Sequence, residues 1–423
     1  MQPTPSPLGD LWTALPRSVT ETMLATGRSR ASEIFADVAG ALPGPWAPVR
    51  PVLLRRDAVD ELAHAVRRIA WLALEACRRR AATAGELLEL LGHARSKYLF
   101  FDAAEPVGTA WLASSRIDVV LAGGTFRVVG LNIDSALAGA LQTDQLTGSY
   151  FHRYGEAGLQ RALGLRPGGS ALTARAESIR RMLGGGAGVA FPFFTGDNLP
   201  AHKQPGAFRA FLERFAASAR EVGLDARTCM LDELREGSDG RLRMPDGWVA
   251  DGVFRLFATE EVQHHGSAGD LARAAAAGKT QVYTGEAARM LRDPEVLGWL
   301  WSDVGLLSDR DASLVRRHVA EPAGSSGPAP DLVPMEFVHT VSGARVVVDV
   351  SVVVGAFLFD LGGFGLTGFD PHTSDPHTSD LHSDAVRPPA VMVRHGGPDG
   401  ESVLNCALLC VPRNGPSDQQ RGE

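Results

Sequence analysis

Apolar residues in this chain recur at two different intervals, and the switches between them outline its elements. Between residues 55 and 96, Leu62, Ala65, Ile69, Leu72 and Ala76 fall three or four apart. Leu87, Leu88, Leu90 and Leu91 continue in a second segment. This is the helical period, with one face turned to a core. The helix ends near Arg78-Arg79-Arg80, which reads as a solvated end. From 116 to 131 the interval becomes two. Ile117, Val119 and Leu121 alternate, Gly123-Gly124 turns the chain, and Phe126, Val128 and Val129 follow, so a hairpin is predicted. Residues 151 to 183 return to a helical pattern and stop at Gly184-Gly185-Gly186. A strand is predicted over 188–194, then a helix over 205–223 with Phe208, Phe211, Leu212 and Phe215 on one face.

A strand lies within 246–257, and short helices are predicted at 271–277, 286–291 and 308–318. Residues 321–330 have linker composition. Beyond them, 345–359 is almost continuously Val-rich, as in a buried strand, and further strands are expected at 390–394 and 402–409. The alternation of strands and helices indicates an α/β chain. Its expected organisation is a lead-in over 1–50, a helical region with the hairpin over 51–150, an α/β domain over 151–320, a linker over 321–331 and a β-rich segment over 332–423.

Composition narrows the functional classes. The 423 residues are 44% hydrophobic and 22% charged, as in an ordinary soluble globular protein. A net charge of −7 predicts no nucleic-acid partner, and no apolar run predicts a membrane span. No signal peptide is visible, and Cys77, Cys229, Cys406 and Cys410 read as buried thiols, so a cytoplasmic protein is expected. Lysine is scarce: Lys97, Lys203 and Lys279 are the only three among 42 basic residues. Any step that needs a lysine on a phosphate is confined to those positions.

Several motifs resolve to bland readings. Gly278-Lys279-Thr280 lacks the glycine that a phosphate loop needs five residues upstream, where Arg273 stands. It reads as a helix-terminal glycine before a strand. The 184–188 glycine run precedes a strand, whereas a dinucleotide fingerprint follows one, so it reads as a connector. His372, His377 and His382 repeat five apart with Asp375, Asp380 and Asp384. That spacing fits no helix face and suggests an exposed repeat. His264-His265 reads as surface.

The hairpin carries more chemistry. Side chains alternate faces along a strand. If Gly123 to Thr125 form a three-residue turn, Asp118 opposes Gly130 and Arg116 opposes Asn132, all on one face. A two-residue turn would set Asp118 opposite Val129 and split the group. A carboxylate and an amide oxygen suit magnesium, which also keeps waters and substrate phosphates. Arg116 could neutralise phosphoryl oxygens. A hairpin whose polar residues face water is the competing reading.

Arg116-x-Asp118 followed by Gly130-x-Asn132-x-Asp134-Ser135 resembles the signature of the circularly permuted ATP-grasp ligases, the glutathionylspermidine synthetase-like family. In that family an Arg-x-Asp strand precedes a Glu-x-Asn strand, and the Asp, Glu and Asn bind magnesium. Asp251-Gly-Val-Phe-Arg255-Leu-Phe257, the passage from Leu291 to Val319, Val391-Met-Val-Arg394 and Val403-Leu404-Asn405 are similar to further stretches of its bacterial members. The resemblance implies an ATP-grasp-like fold, truncated or degenerate, with a mixed sheet and a helical N-terminal region. It implies ATP-dependent joining of a small-molecule carboxylate to an amine through an acyl phosphate, in bacterial natural-product or peptide assembly. Asp118 and Asn132 would hold Mg2+, Arg116 would steady the phosphoryl group and Arg394 would contact the phosphates of ATP. Two departures mark the chain. Gly130 stands where the family has glutamate, and no lysine-bearing ATP lobe follows Val319. The alternative is a catalytically degenerate homologue that serves as a binding or accessory protein, or an enzyme in which Asp134 or Asp349 replaces the missing acid.

Overall fold

A computed structural model describes residues 9–36, 38, 44–122, 125–134, 137, 139–195, 205–321, 329–359 and 390–410. The His/Asp repeat, Lys203 and most of the predicted linker lie outside the described residues.

The chain opens with α1 (Arg17–Ala36) and two short strands, β1 (Trp46–Pro48) and β2 (Val52–Arg55). The predicted helical stretch forms α2 (Arg56–Arg78) and α3 (Ala84–Leu90). Leu62, Val66 and Ile69 of α2 are fully buried, and each contributes about 1.5–3 kcal/mol of burial free energy. Thr83 caps α3 by accepting the Glu86 N–H. The arginines after α2 are not a free solvated end: Arg79 and Arg80 both donate to Asp303, tying the end of α2 to a later helix. The hairpin follows as β3 (Ser115–Ala122) and β4 (Thr125–Ile133).

Next come α4 (Ala140–Glu156), α5 (Leu159–Leu163), β5 (Leu165–Pro167) and α6 (Ala171–Leu183). The helical stretch expected from 151 therefore starts earlier and is broken twice. Gly158 and Gly164 take φ of 72° and 60°, a region that glycine enters without strain. The middle of the chain holds β6 (Gly188–Phe193), α7 (Pro205–Glu221), β7 (Asp225–Met230), β8 (Arg235–Glu236), β9 (Leu242–Arg243), β10 (Val249–Ala250) and β11 (Gly252–Phe254). It continues with α8 (Thr259–Val262), α9 (Gly266–Ala276), β12 (Gln281–Tyr283), a tight helical stretch Glu286–Arg292, α10 (Pro294–Ser302) and α11 (Asp309–His318). Four strands close it: β13 (Leu332–His339), β14 (Arg345–Leu358), β15 (Val391–Gly396) and β16 (Ser402–Cys410).

The strands form a mixed α/β architecture with three sheets. The largest runs β1-β13-β14-β15-β16-β2, with β3 paired to β14, β4 to β3, and β5 to β16. Every pairing in it is antiparallel except β2 with β16. A second sheet, β12-β11-β6-β7, is wholly parallel, and β10-β9-β8 make a small antiparallel third. The main core lies where Ile117, Val119, Val128, Val354 and Val393 meet α2. A second, aromatic core packs Phe191, Phe254 and Phe215 between the parallel sheet and α7. β14 departs from the expectation of burial throughout. Its first half pairs only with β13 and alternates, leaving Val347 63% exposed. Its second half lies between β3 and β15 and is buried.

Candidate functional site

The hairpin register places Asp118 opposite Gly130 and Arg116 opposite Asn132. The route to that register differs from the one expected. Ala122 pairs directly with Thr125, so the connection is the two-residue one, which alone would have split the group. A bulge between Asp118 and Val119 restores the alignment: Val119 pairs with Val128, and Val129 is left over. The sequence carried a signal for this. The buried positions of β4 run Phe126, Val128, then Leu131 and Ile133, so the alternation skips a beat at Val129.

β3 alternates without a break, so Ile117, Val119 and Leu121 enter the main core while Arg116 and Asp118 share the other face, and the bulge in β4 brings Asn132 into register with them. Both are nearly buried, at 7% and 5% exposure. The Arg116 guanidinium forks onto the Asp118 carboxylate, Nε to Oδ1 at 2.8 Å and Nη2 to Oδ2 at 3.1 Å. Asn132 donates its Nδ2 to Oδ2 at 2.8 Å, and Arg394 on β15 donates Nη2 to the same oxygen at 2.7 Å. All four residues singled out from the sequence are thus brought together around one carboxylate.

Two glycines shape the cluster. Gly355 on β14 pairs with Asp118 on one side and Met392 on the other. A Cβ there would lie 3.0 Å from Arg116 Cδ, Asp118 Oδ1 and Met392 Cε, so the ion pair needs a bare backbone beneath it. Gly130 is the opposite case. A Cβ on it would meet nothing nearer than 3.9 Å, so a methyl group fits there in ordinary contact with Asp118 and Asn132.

The donor set does not fit magnesium as it stands. Magnesium requires oxygen ligands in near-octahedral order. Here both Asp118 oxygens accept from guanidinium groups, and Asn132 turns its nitrogen toward them. Among the described residues, two arginines and one aspartate leave the cluster with an excess of one positive charge. Among the described residues no group of three or more His, Cys, Asp or Glu side chains could hold a metal ion. The proposed substitutes for the missing acid are occupied or distant. Asp134 ends β4 but accepts from the buried Arg255, with Arg289 and Arg292 at 3.6 and 3.7 Å. Asp349 lies on the exposed half of β14, six residues from Gly355 and so about 20 Å along the strand.

The Asp134 cluster is a second buried network. Arg255 also donates to the carbonyl of Phe257 at 2.7 Å and stands 3.9 Å from Glu286, both ionic groups being fully buried. Glu286 accepts the Phe100 N–H and the Thr259 hydroxyl. It joins β4, β11 and the 286–292 stretch. The sequence pointed to Arg255 and Asp134 individually, but Glu286, Arg289 and Arg292 gave no local sign.

The two glycine-rich stretches meet. Gly185, Gly186, Gly278 and Lys279 line one open cavity of about 440 Å3 with Asp251. It lies at the amino ends of the parallel strands, beside the carboxyl ends of α6 and α9, whose dipoles oppose an anion. Gly278 is, as expected, the left-handed glycine after a helix, with φ of 65° and a strand following. All four cysteines are buried and unpaired, and burial pushes each thiol up to about 12, so none is a thiolate nucleophile. No helix among the described residues is long and apolar enough to cross a membrane.

Comparison with known protein families finds no family that matches this chain, and comparison with curated proteins finds no match. The likeness to ATP-grasp ligases therefore rests on the short motifs alone.

Proposed function

We propose that this protein is a catalytically degenerate, ATP-grasp-like binding or accessory protein that holds an anionic small molecule at Arg116 and Arg394. One observation carries this reading: the one carboxylate that the described residues bring to the cluster is already engaged by both guanidinium groups. Among the described residues the cluster has more positive than negative charge, room for a methyl group at Gly130, and a partly exposed Arg394 whose Nε has no hydrogen-bond partner. Those features suit a carboxylate or phosphate group. The four buried free thiols support a reducing cytoplasm as its location.

The active carboxylate–amine ligase is the second reading, favoured by the convergence of Arg116, Asp118, Asn132 and Arg394 on one face. It requires ATP and Mg2+, and Asp118 would have to leave its arginines to serve a metal. Calorimetry separates the two. Inorganic phosphate or ATP should bind equally with and without magnesium, without ATP turnover, and binding should be lost in Arg394→Gln. Magnesium-dependent ATP turnover that disappears in Asp118→Ala would establish the ligase instead. Absence of heat with either anion at millimolar concentration rejects both.

A further inference from the structure

An unusual charge lies outside that cluster. Arg175, on α6, is 1% exposed, and among the described residues none of its three side-chain nitrogens has a hydrogen-bond partner. Its guanidinium carbon sits 5.3 Å from the ring centre of Phe215, 5.4 Å from that of Phe254 and 4.9 Å from that of Phe359. Burial pulls the guanidinium down to about 10, so it still carries its charge at neutral pH. The rings interact with that charge, but they accept no in-plane N–H.

The nearby acids do not serve it. Asp144 is taken by the Ser170 hydroxyl and the amides of Ala171 and Leu172. Asp134 is taken by Arg255. A second orphan stands at the same edge: the Thr284 hydroxyl, buried and without a partner among the described residues, directly after β12. α6 runs into β6 so that its first turns lie at the carboxyl end of the parallel strands, where Phe254 and Tyr283 end β11 and β12. Outside the carboxyl ends of parallel strands is where open α/β sheets take ligands.

We infer that Arg175, with Thr284, forms a binding site for the carboxylate of a small molecule with an apolar or aromatic body. The unpaired N–H edge matches a carboxylate in a two-bond fork, and the three phenylalanine rings match an apolar body. This site is independent of the one at Asp118.

Thermal unfolding of the full chain tests it, with benzoate, acetate and inorganic phosphate as added ligands. Benzoate at millimolar concentration should raise the wild-type Tm by about 2–4 °C, and acetate by less. Arg175→Met should abolish the benzoate shift while melting, without ligand, at or above the wild-type temperature, because an unpaired buried charge has been removed. Thr284→Val, which barely changes volume, should reduce the shift, and Arg394→Gln should leave it intact. Three results overturn the proposal: no benzoate shift in the wild type, an equal shift in Arg175→Met, or a phosphate shift larger than that of benzoate. A lower Tm for Arg175→Met combined with an unresponsive wild type would assign Arg175 to packing against its rings alone.

Discussion

Arg394 and Asp118 stand two strands apart and are joined by a 2.7 Å hydrogen bond across β14, which sets Gly355 beside Asp118 and Val353 beside Arg394. The absence of a side chain at Gly355 is what lets Arg116 lie flat against the carboxylate. Gly355→Ala should therefore displace the pair and cost about 1–3 kcal/mol in urea unfolding, since the added carbon arrives 3.0 Å from three neighbours. An unchanged midpoint would mean that the cluster yields without cost.

Gly130 predicts the reverse sign. Its φ is not in the left-handed region and its side-chain direction is open. Gly130→Ala should stabilise the protein by about 0.4–1 kcal/mol through the unfolded chain. A larger residue, as in Gly130→Leu, should crowd Asp118 and Asn132 and weaken phosphate binding at Arg394. Chemical denaturation and calorimetry on the same variants check both parts.

The buried pair of Arg255 and Asp134 should respond strongly to loss of one member. Asp134→Ala removes the directly paired carboxylate from a fully buried guanidinium, and a loss of about 3–5 kcal/mol is expected. Double substitution to apolar residues, Asp134→Leu with Arg255→Met, should recover much of it. If the single variant loses under 1 kcal/mol, the network is not holding β4 to β11.

His395 supplies a pH dependence. Burial holds its imidazole down to about 4, with Asn405 and the Gly396 carbonyl as its polar contacts. The unfolded chain takes up the proton near pH 6.5, the folded chain only near 4, so between these the unfolded state binds more protons. Stability is thus full above about pH 6.5 and falls as the pH drops toward 4. Wild type should lose about 2 kcal/mol more than His395→Gln between pH 7 and pH 5. Parallel losses in the two proteins would assign the acid sensitivity elsewhere.

Local pattern made some of this legible and long-range contact hid the rest. The helical stripe of Leu62, Ile69 and Leu72 and the aromatic face of Phe208, Phe211 and Phe215 predicted α2 and α7, because one buried face suffices to set a period. The Asp118–Gly130 alignment is legible in the spacing but its route is not, because alternation counted from the glycines misses the slip at Val129. Strand order was beyond reach: nothing in Val52 to Arg55 indicates that it pairs with Ala407 to Cys410. The Arg175 cage was equally hidden, because its rings come from positions 215, 254 and 359. The arginines at 79 and 80 looked solvated because their acceptor, Asp303, is over two hundred residues away.

The weaving of the large sheet has a consequence for synthesis on the ribosome. β1 and β2 leave the exit tunnel early, yet their partners are β13 and β16, close to 300 and 350 residues later. At about 5–20 residues per second, those early strands wait tens of seconds with bare edges. The parallel sheet, assembled wholly from residues 188 to 283, has no such delay and can be complete while the first strands are still unpaired. A nascent chain stalled before residue 332 would thus present one finished lobe and one row of unmet backbone groups, a natural substrate for chaperones.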